Sequence, residues 1–299
     1  MSLRFFDPFR VLDEQERGNQ LAAYREFLAS RDGTPDLASR TLSLREDRMR
    51  ALEASTDAWP EAVNLTDFAR CMAGDRSGRF EPRTEWALVA ALANESENYG
   101  VDIELRRFAR HGKLPGLREA DLLLSVYVQE TYHCRILVEV CRACGAGFAP
   151  RRPGLTNRSL VWLIGALPGV LRWVPVMAGE LVGTAVFRLL YEGLSLFDAR
   201  PATRARLREL LEEVWIDEIG HVAFLRAQLG SASLIAVRAM LPLVAAAVLK
   251  DLPRLDGIGL TPTSILCALR EGVAIPPAVD WIEADVAAPG DAVAELVRA

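Results

Sequence analysis

The sequence predicts an all-α fold, and three features support this prediction. Apolar residues recur at helical spacing along most of the 299-residue chain, whereas the alternating pattern of β-strands is nearly absent. Glycine and proline divide the periodic stretches into segments of helical length. Hydrophobic residues make up 51% of the chain, which is enough to build a large core.

The first half of the chain is expected to contain four helices. Two short ones are predicted at residues 14–30 and 37–55. A long helix follows at 83–110, and the glycines and proline of 111–116 predict a turn. A second long helix is predicted at 117–144, so the two long helices would form an antiparallel hairpin.

The second half is expected to contain another pair of long helices joined by a turn. A short apolar helix is predicted to end near residue 166, and long helices are predicted at 175–196 and 202–229 with a turn between them. An apolar helix at 231–250 follows. The proline-rich remainder is expected to be irregular, with one or two short helices.

No change in composition marks a domain boundary, so we predict a single domain over residues 1–299. Its core would be a four-helix bundle at about 83–229. Additional helices would lie N-terminally in 1–82 and C-terminally in 230–299.

Composition argues against several classes of function. The net charge of −5 and the sequence pI near 5.5 argue against nucleic acid as a main partner. The first residues lack the apolar segment of a signal peptide, so a cytoplasmic protein with reduced thiols is expected. The five cysteines are Cys71, Cys134, Cys141, Cys144 and Cys267. The Cys-x-x-Cys spacing at 141–144 occurs once, whereas a structural zinc site would need a second pair.

Two apolar stretches of the chain are long enough to be compared with membrane spans. Residues 160–186 contain Arg172 and Glu180, and residues 233–249 contain Arg238. Charges at the centre of a bilayer are costly. We therefore expect buried helices in both places and no membrane span.

Two Glu-x-x-His frames are the most informative feature of the chain: Glu130 with His133, and Glu218 with His221. Residues three apart share one face of a helix, so each frame points a carboxylate and an imidazole at the same place. Two such frames, with a single Glu from each of two further helices, make the inward-facing ligand set of a dimetal site in a four-helix bundle.

The two further carboxylates follow from the position of the turns, because residues equidistant from a turn lie level on a helical hairpin. The turn near residue 199 places Glu180 level with Glu218 and leaves Glu192 too near the turn. The turn at 111–116 places Glu97 and Glu95 near the level of Glu130. Glu97 is preferred because its helix face is more continuously apolar.

Each of these features also has a simpler interpretation. A buried ion pair with Arg172 or Arg188 would account for Glu180 without a metal. Tyr99, Tyr132 and Trp215 could line a pocket or belong to the core. Four glycines near the ligand level could make room for O2 and a substrate or allow close helix packing; they are Gly100, Gly179, Gly183 and Gly220.

These residues resemble the ferritin-like dimetal-carboxylate proteins over roughly residues 83–229. The ligands that the resemblance implies are Glu97, Glu130, His133, Glu180, Glu218 and His221. Within that superfamily the chain is most similar to the p-aminobenzoate N-oxygenase-like diiron oxygenases, in the turn at 111–116 and the Ala-x-Glu context of Glu180. The resemblance implies two iron ions, or manganese, and O2 activation to oxidise a small organic substrate by N-oxygenation or hydroxylation.

Two positions depart from that subfamily. Its founding enzyme type has a further histidine ligand where this chain has Val214, so a seventh ligand is not available. The residue before the first frame is commonly Asp and is Gln129 here. Asp217, before the second frame, is retained and is expected to accept a hydrogen bond from a ligating histidine, which Gln129 could do as a neutral group.

The resemblance also implies partners. The chain has no flavin or nicotinamide fingerprint, so electrons would come from an external reductase or a small reductant. The substrate would be an amine or an acyl chain, the latter bound to a carrier protein, and a homodimer is compatible with the sequence. One alternative is a ferritin-like metal-binding protein or ferroxidase without an organic substrate. The other is a helical interaction protein in which the two frames are accidental.

Overall fold

The computed structural model describes residues 4–54, 59–111, 120–147, 153–250, 252–255 and 257–284. About 70% of the chain is helical and strands are few, which confirms the all-α prediction. The predicted turn at 112–116 and the start of the following helix lie outside the described residues. So does most of the loop that precedes the short apolar helix.

Ten α-helices lie within the described residues. In chain order they are α1 (Glu14–Arg31), α2 (Arg45–Glu53), α3 (Leu65–Met72), α4 (Pro82–His111), α5 (Ala120–Ala143), α6 (Leu155–Ala166), α7 (Trp173–Glu192), α8 (Pro201–Gln228), α9 (Ser231–Lys250) and α10 (Pro262–Arg270).

The four longest core helices pack side by side around the predicted ligands. α4 lies along α5, α5 lies along α8, and α8 lies along α7. The other helices cover this group: α1 packs on α8, α6 packs on α4, and both α9 and α10 pack on α7. Residues of α1, α4, α5, α7, α8, α9 and α10 join one continuous apolar core.

Two small antiparallel pairings were not predicted. Strand β1 (Arg4–Phe6) pairs with β4 (Val273–Ile275), and β2 (Pro35–Asp36) pairs with β3 (Thr41–Leu42). Each strand has only two or three residues, which is too short to show an alternating pattern. The β1–β4 pair joins the two terminal additions to each other.

Helix boundaries differ from prediction at three places. The helix expected at 37–55 is limited to α2, because the β2–β3 hairpin occupies its first residues. Helix α3 was not predicted. Helix α7 begins at Trp173, two residues before Pro175. Proline is tolerated there because the backbone nitrogens of the first helical turn have no hydrogen-bond acceptor within the helix.

Among the described residues, two helical segments are long and apolar enough to cross a membrane by length and composition: Trp173–Phe197 and Ser231–Lys250. The first is the expected core helix, with 67% of its apolar window buried. The second differs from prediction, since only 22% of its window is buried. Only one stripe of α9 faces α7, and that stripe consists of Leu234, Val237, Leu241 and Ala245.

The contact between α1 and α8 depends on the absence of a side chain at Gly220. A Cβ atom there would lie 2.7 Å from Cε2 of the buried Tyr24. We expect Gly220→Ala to lower the free energy of unfolding by about 1–3 kcal/mol through overpacking. Gly18 of α1 has open space around it, so Gly18→Ala should instead stabilise by up to about 1 kcal/mol. Urea unfolding followed by circular dichroism compares the two, and equal effects would contradict the packing argument.

Candidate metal centre

The two Glu-x-x-His frames meet between α5 and α8. His133 Nδ1 lies 3.2 Å from Glu130 Oε2 and 3.4 Å from Glu218 Oε1. His221 Nδ1 lies 2.9 Å from Glu130 Oε1. Each imidazole therefore faces a carboxylate of the neighbouring helix.

Glu97 of α4 and Glu180 of α7 lie at the same level. Glu97 Oε2 is 3.9 Å from His133 Nδ1, and Glu180 Oε2 is 3.3 Å from His221 Nδ1. Among the described residues these side chains form two groups in which all the possible ligand atoms lie within 4.8 Å of one another. The groups are Glu97, His133 and Glu218, and Glu130, Glu180, Glu218 and His221. The structure thus brings together all six residues singled out in the sequence, and their role as metal ligands stays a prediction.

The other carboxylates considered lie apart from these two groups. Glu192 accepts a hydrogen bond from Arg188 at 2.8 Å and is half exposed. Glu95 is buried and, with Glu97, lines a cavity of about 220 Å³ between α4 and α7. Of the two neighbouring candidates, Glu97 is the one that faces an imidazole.

The ion-pair alternative for Glu180 is wrong. Arg172 instead forms a salt bridge with Glu104. Arg188 pairs with Glu192 and, at 3.1 Å, with Glu271. The charged group that Glu180 faces is His221.

Both imidazoles are fully buried, and the Nδ1 atom of each lacks a hydrogen bond. His133 and His221 are 0% exposed. Carboxylate oxygens lie near each Nδ1 but outside hydrogen-bonding geometry, and Glu97 Oε2 also lacks a hydrogen bond. A neutral imidazole would point its Nδ1 lone pair at these oxygens, which is unfavourable unless a proton or a metal cation lies between them. Oxygen and imidazole donors without thiolates fit divalent iron or manganese.

The pKa values of the cluster reflect its excess of negative charge. Burial, with repulsion from Glu130 and Glu180, raises the pKa of Glu97 to about 8. Burial and the same two carboxylates raise the pKa of Glu218 well above its usual range. Burial lowers the pKa of His221, but the charge of Glu130 outweighs it and raises that pKa to about 10. Protons therefore bind where metal cations would, and the two must compete.

A crossed pair of hydrogen bonds holds the far side of each imidazole. His133 Nε2 of α5 lies 3.0 Å from Asp217 Oδ2 of α8, and His221 Nε2 of α8 lies 3.0 Å from Gln129 Oε1 of α5. An amide oxygen can only accept, so His221 Nε2 donates, and its Nδ1 has a lone pair to offer once the ring has lost its second proton. Gln129 Nε2 in turn donates to Asp217 Oδ1 at 3.1 Å. The structure thus gives Asp217 and Gln129 the supporting positions expected from the sequence.

Sequence reasoning missed a buried layer of charge beneath these two residues. Arg31 of α1 donates to Asp217, and Arg45 Nη1 of α2 lies 2.5 Å from Asp217 Oδ2. Asp32 accepts from Gln129 Nε2 at 2.7 Å. Burial would raise the pKa of Asp217, but the two arginines hold it well below its usual range. Arg31 is 186 residues from Asp217 in the chain, so no spacing pattern could have revealed the pair.

A cavity of about 290 Å³ lies beside the cluster. Its wall includes Glu97, Glu130, Glu180 and His221. Much of the remaining wall is apolar and comes from α4, α5, α6, α7 and α8. A cavity of this size and lining is suited to a small organic molecule.

The glycines near the centre differ in what lies beside them. Gly100 and Gly179 line the cavity and have open space where a Cβ would lie. A Cβ at Gly183 would lie 3.3 Å from Glu218 Oε2. These three leave room at the centre, whereas Gly220 allows the close packing of α1 on α8.

None of the three aromatic residues near the ligands in sequence lines the larger cavity: Tyr132 and Trp215 belong to the core, and Tyr99 is half-buried. The Tyr132 hydroxyl donates to Glu46 at 2.8 Å, Trp215 packs against Tyr191, and Arg158 lies over Tyr99. The aromatic side chains in the cavity wall are Tyr127, Trp173 and Phe224.

Comparison of the chain with protein-family models, with curated proteins and with solved structures gives no match. The geometry of the centre is therefore the basis for a functional proposal.

Replacing Asp217 tests the buried charge layer. We expect Asp217→Asn to lower the free energy of unfolding by about 1–3 kcal/mol, because Arg31 and the 2%-exposed Arg45 lose their closest fully buried partner and keep only Glu213 and the more distant Asp32. Asp198→Asn is the matched control, since the pair of Asp198 with Arg204 is well exposed and should contribute less than about 1 kcal/mol. Urea unfolding measures both, and a small effect at Asp217 would show that the layer is dispensable.

Metal binding should strengthen as the pH rises from about 6 to about 9. Glu97, Glu218 and His221 all have raised pKa values, so they hold protons near neutrality that a bound cation must displace. Equilibrium titration with Mn²⁺ at several pH values measures the dissociation constant. An affinity independent of pH would mean that the metal binds elsewhere.

Proposed function

We propose that this protein is a non-haem diiron oxygenase with a ferritin-like four-helix bundle formed by α4, α5, α7 and α8. The helices of 1–82 and 230–299 are additions to that bundle. The carrying observation is the pair of buried Nδ1 atoms without hydrogen bonds, which face four carboxylates arranged in two groups that share one residue. The metal ligands in this proposal are Glu97, Glu130, His133, Glu180, Glu218 and His221.

Charge balance supports two divalent ions at this place. Four carboxylates carry four negative charges, which two divalent cations neutralise within an apolar interior. Glu218 belongs to both groups, so it would help to hold both ions. When bound, two iron ions, or manganese, would supply the chemistry of O2 activation, with O2 as co-substrate.

The residues of the chain would hold the centre and keep it dry. Asp217 and Gln129 each hold one imidazole through Nε2, so both Nδ1 atoms stay directed inwards. The apolar walls of the neighbouring cavity would exclude water and orient a small organic substrate next to Glu97, Glu130 and His221. Electrons would come from an external reductase or small reductant, and an acyl substrate could arrive on a carrier protein.

The cavity also favours an oxygenase over the alternative, a ferritin-like ferroxidase without an organic substrate. A ferroxidase needs only a path for iron to the centre, whereas the apolar part of the wall of this cavity of about 290 Å³ offers a surface to which an organic molecule can bind.

Iron content of the purified protein is the first test. We expect about two irons per chain after expression with ample iron, and a loss of most of that iron in the His133→Ala/His221→Ala double variant, because each histidine supplies the only imidazole of its group.

The matched control is His111→Ala, which changes the third histidine of the chain and should keep its iron. Position 111 is 14 residues beyond Glu97 on α4, about 21 Å along the helix axis. Wild-type protein without iron, or a double variant that retains it, would contradict the proposed centre.

Blocking the cavity separates oxygenase from ferroxidase. Gly179→Leu places a side chain in the open space beside Glu180 and should leave iron content unchanged. It should abolish the O2 uptake that a panel of arylamines and acyl compounds stimulates in the wild type. If no compound stimulates O2 uptake, and iron beyond two per chain is oxidised and retained, the ferroxidase is the better description.

A further inference from the structure

Helices α6 and α9 cover the same flank of the molecule, although they are far apart in the chain. Leu160 and Val161 of α6, and Val248 near the end of α9, line the cavity of about 220 Å³ between α4 and α7. The opposite flank, where α5 and α8 meet, is covered by α1 and by the β2–β3 hairpin. The two apolar helices α6 and α9 therefore form one side of the protein.

The outward faces of these two helices are apolar as well as their inward faces. Trp162 is 68% exposed, Ile235 is 71% exposed and Leu243 is 69% exposed. Helix α9 contains a window of 18 residues with a mean hydropathy of 2.1 of which only 22% is buried, which is unusual for a surface in water. We call this surface the α6–α9 face. Its exposed large apolar residues are Leu155, Trp162, Leu163, Ile235, Leu243 and Val248.

The charges on this face all have one sign. Helices α6 and α9 contain no acidic residue, and their charged residues are Arg158, Arg238 and Lys250. The chain as a whole has a net charge of −5. A basic, apolar face on an acidic protein is complementary to a surface that is both apolar and negatively charged.

We propose that the α6–α9 face docks on an anionic phospholipid membrane, with both helices lying in the interface and neither crossing it. Trp162 and its apolar neighbours would enter the boundary between headgroups and acyl chains, while Arg238 and Lys250 contact lipid phosphates. A symmetric dimer through this face is disfavoured, because it would set basic residues against basic residues with no acidic partner on either helix.

This docking would also place the larger cavity close to lipid. Val161 and Ile164 of α6 line that cavity, while Trp162 and Leu163 between them are exposed. The cavity and the membrane would therefore be separated by about one helix diameter, near 10 Å. An apolar substrate dissolved in the bilayer would have a short route to the cavity.

Sedimentation with lipid vesicles tests the proposal on the full chain. We expect at least tenfold stronger partition to phosphatidylcholine vesicles that contain about 30% phosphatidylglycerol than to pure phosphatidylcholine, with most of the binding lost at about 0.5 M salt. Trp162→Gln/Leu163→Gln should weaken partition about tenfold or more, since it removes two apolar side chains that would become buried in the membrane. Arg238→Gln/Lys250→Gln should weaken it by about fivefold for each charge.

Matched controls come from the rest of the surface. Leu44→Gln changes a residue of similar exposure before α2, and Arg208→Gln removes an exposed charge of α8. Both should leave partition unchanged, and circular dichroism verifies that every variant keeps its helical content. No binding to anionic vesicles, or binding that the control variants weaken as much, would overturn the proposal. So would light scattering that shows a lipid-free dimer dissociated by the changes on the α6–α9 face.

Discussion

Four carboxylates and two imidazoles lie together inside an otherwise apolar group of helices, and most of the surrounding structure serves to make that burial tolerable. Two histidines can balance only part of the negative charge, so the cluster must take up protons or metal cations. The outer side of each imidazole must also be held, and Asp217 and Gln129 do this from the helix opposite. Asp217 in turn needs counter-charges of its own, which α1 and α2 provide through Arg31 and Arg45.

The N-terminal helices are therefore part of the centre, and they are where prediction from sequence was weakest. The spacing of apolar residues and the positions of glycine and proline were sufficient to predict the long helices. Short elements such as α3 and the two-residue strands carry too few residues for any period to show. The outward face of α9 was also predicted wrongly. An apolar sequence alone does not indicate whether the outer face of a helix is covered by protein or exposed.

The candidate centre was more predictable than its surroundings for a geometric reason. Ligands on neighbouring helices must lie level, and the distance of each residue from a turn determines that level. Glu180 could therefore be chosen by counting, whereas counting left Glu95 and Glu97 and the apolar helix face favoured Glu97. Asp32 and Arg45 are not related to the cluster by any such count. They reach it through loops and a short helix, whose directions are set by packing and not by a repeat.

The pairing of β1 with β4 also concerns the order in which the protein can be built. Residues 4–6 find their partners only at residues 273–275, so during synthesis the first strand waits for nearly the whole chain. Helix α1 likewise cannot complete its packing until α8 has been synthesised, because Tyr24 of α1 packs against Gly220 of α8. Contacts of such long sequence separation form late and slowly. The half of the centre made by α4 and α5 is synthesised well before α7 and α8 supply the other half. The nascent chain therefore passes through a stage in which Glu97 and Glu130 are open to solvent.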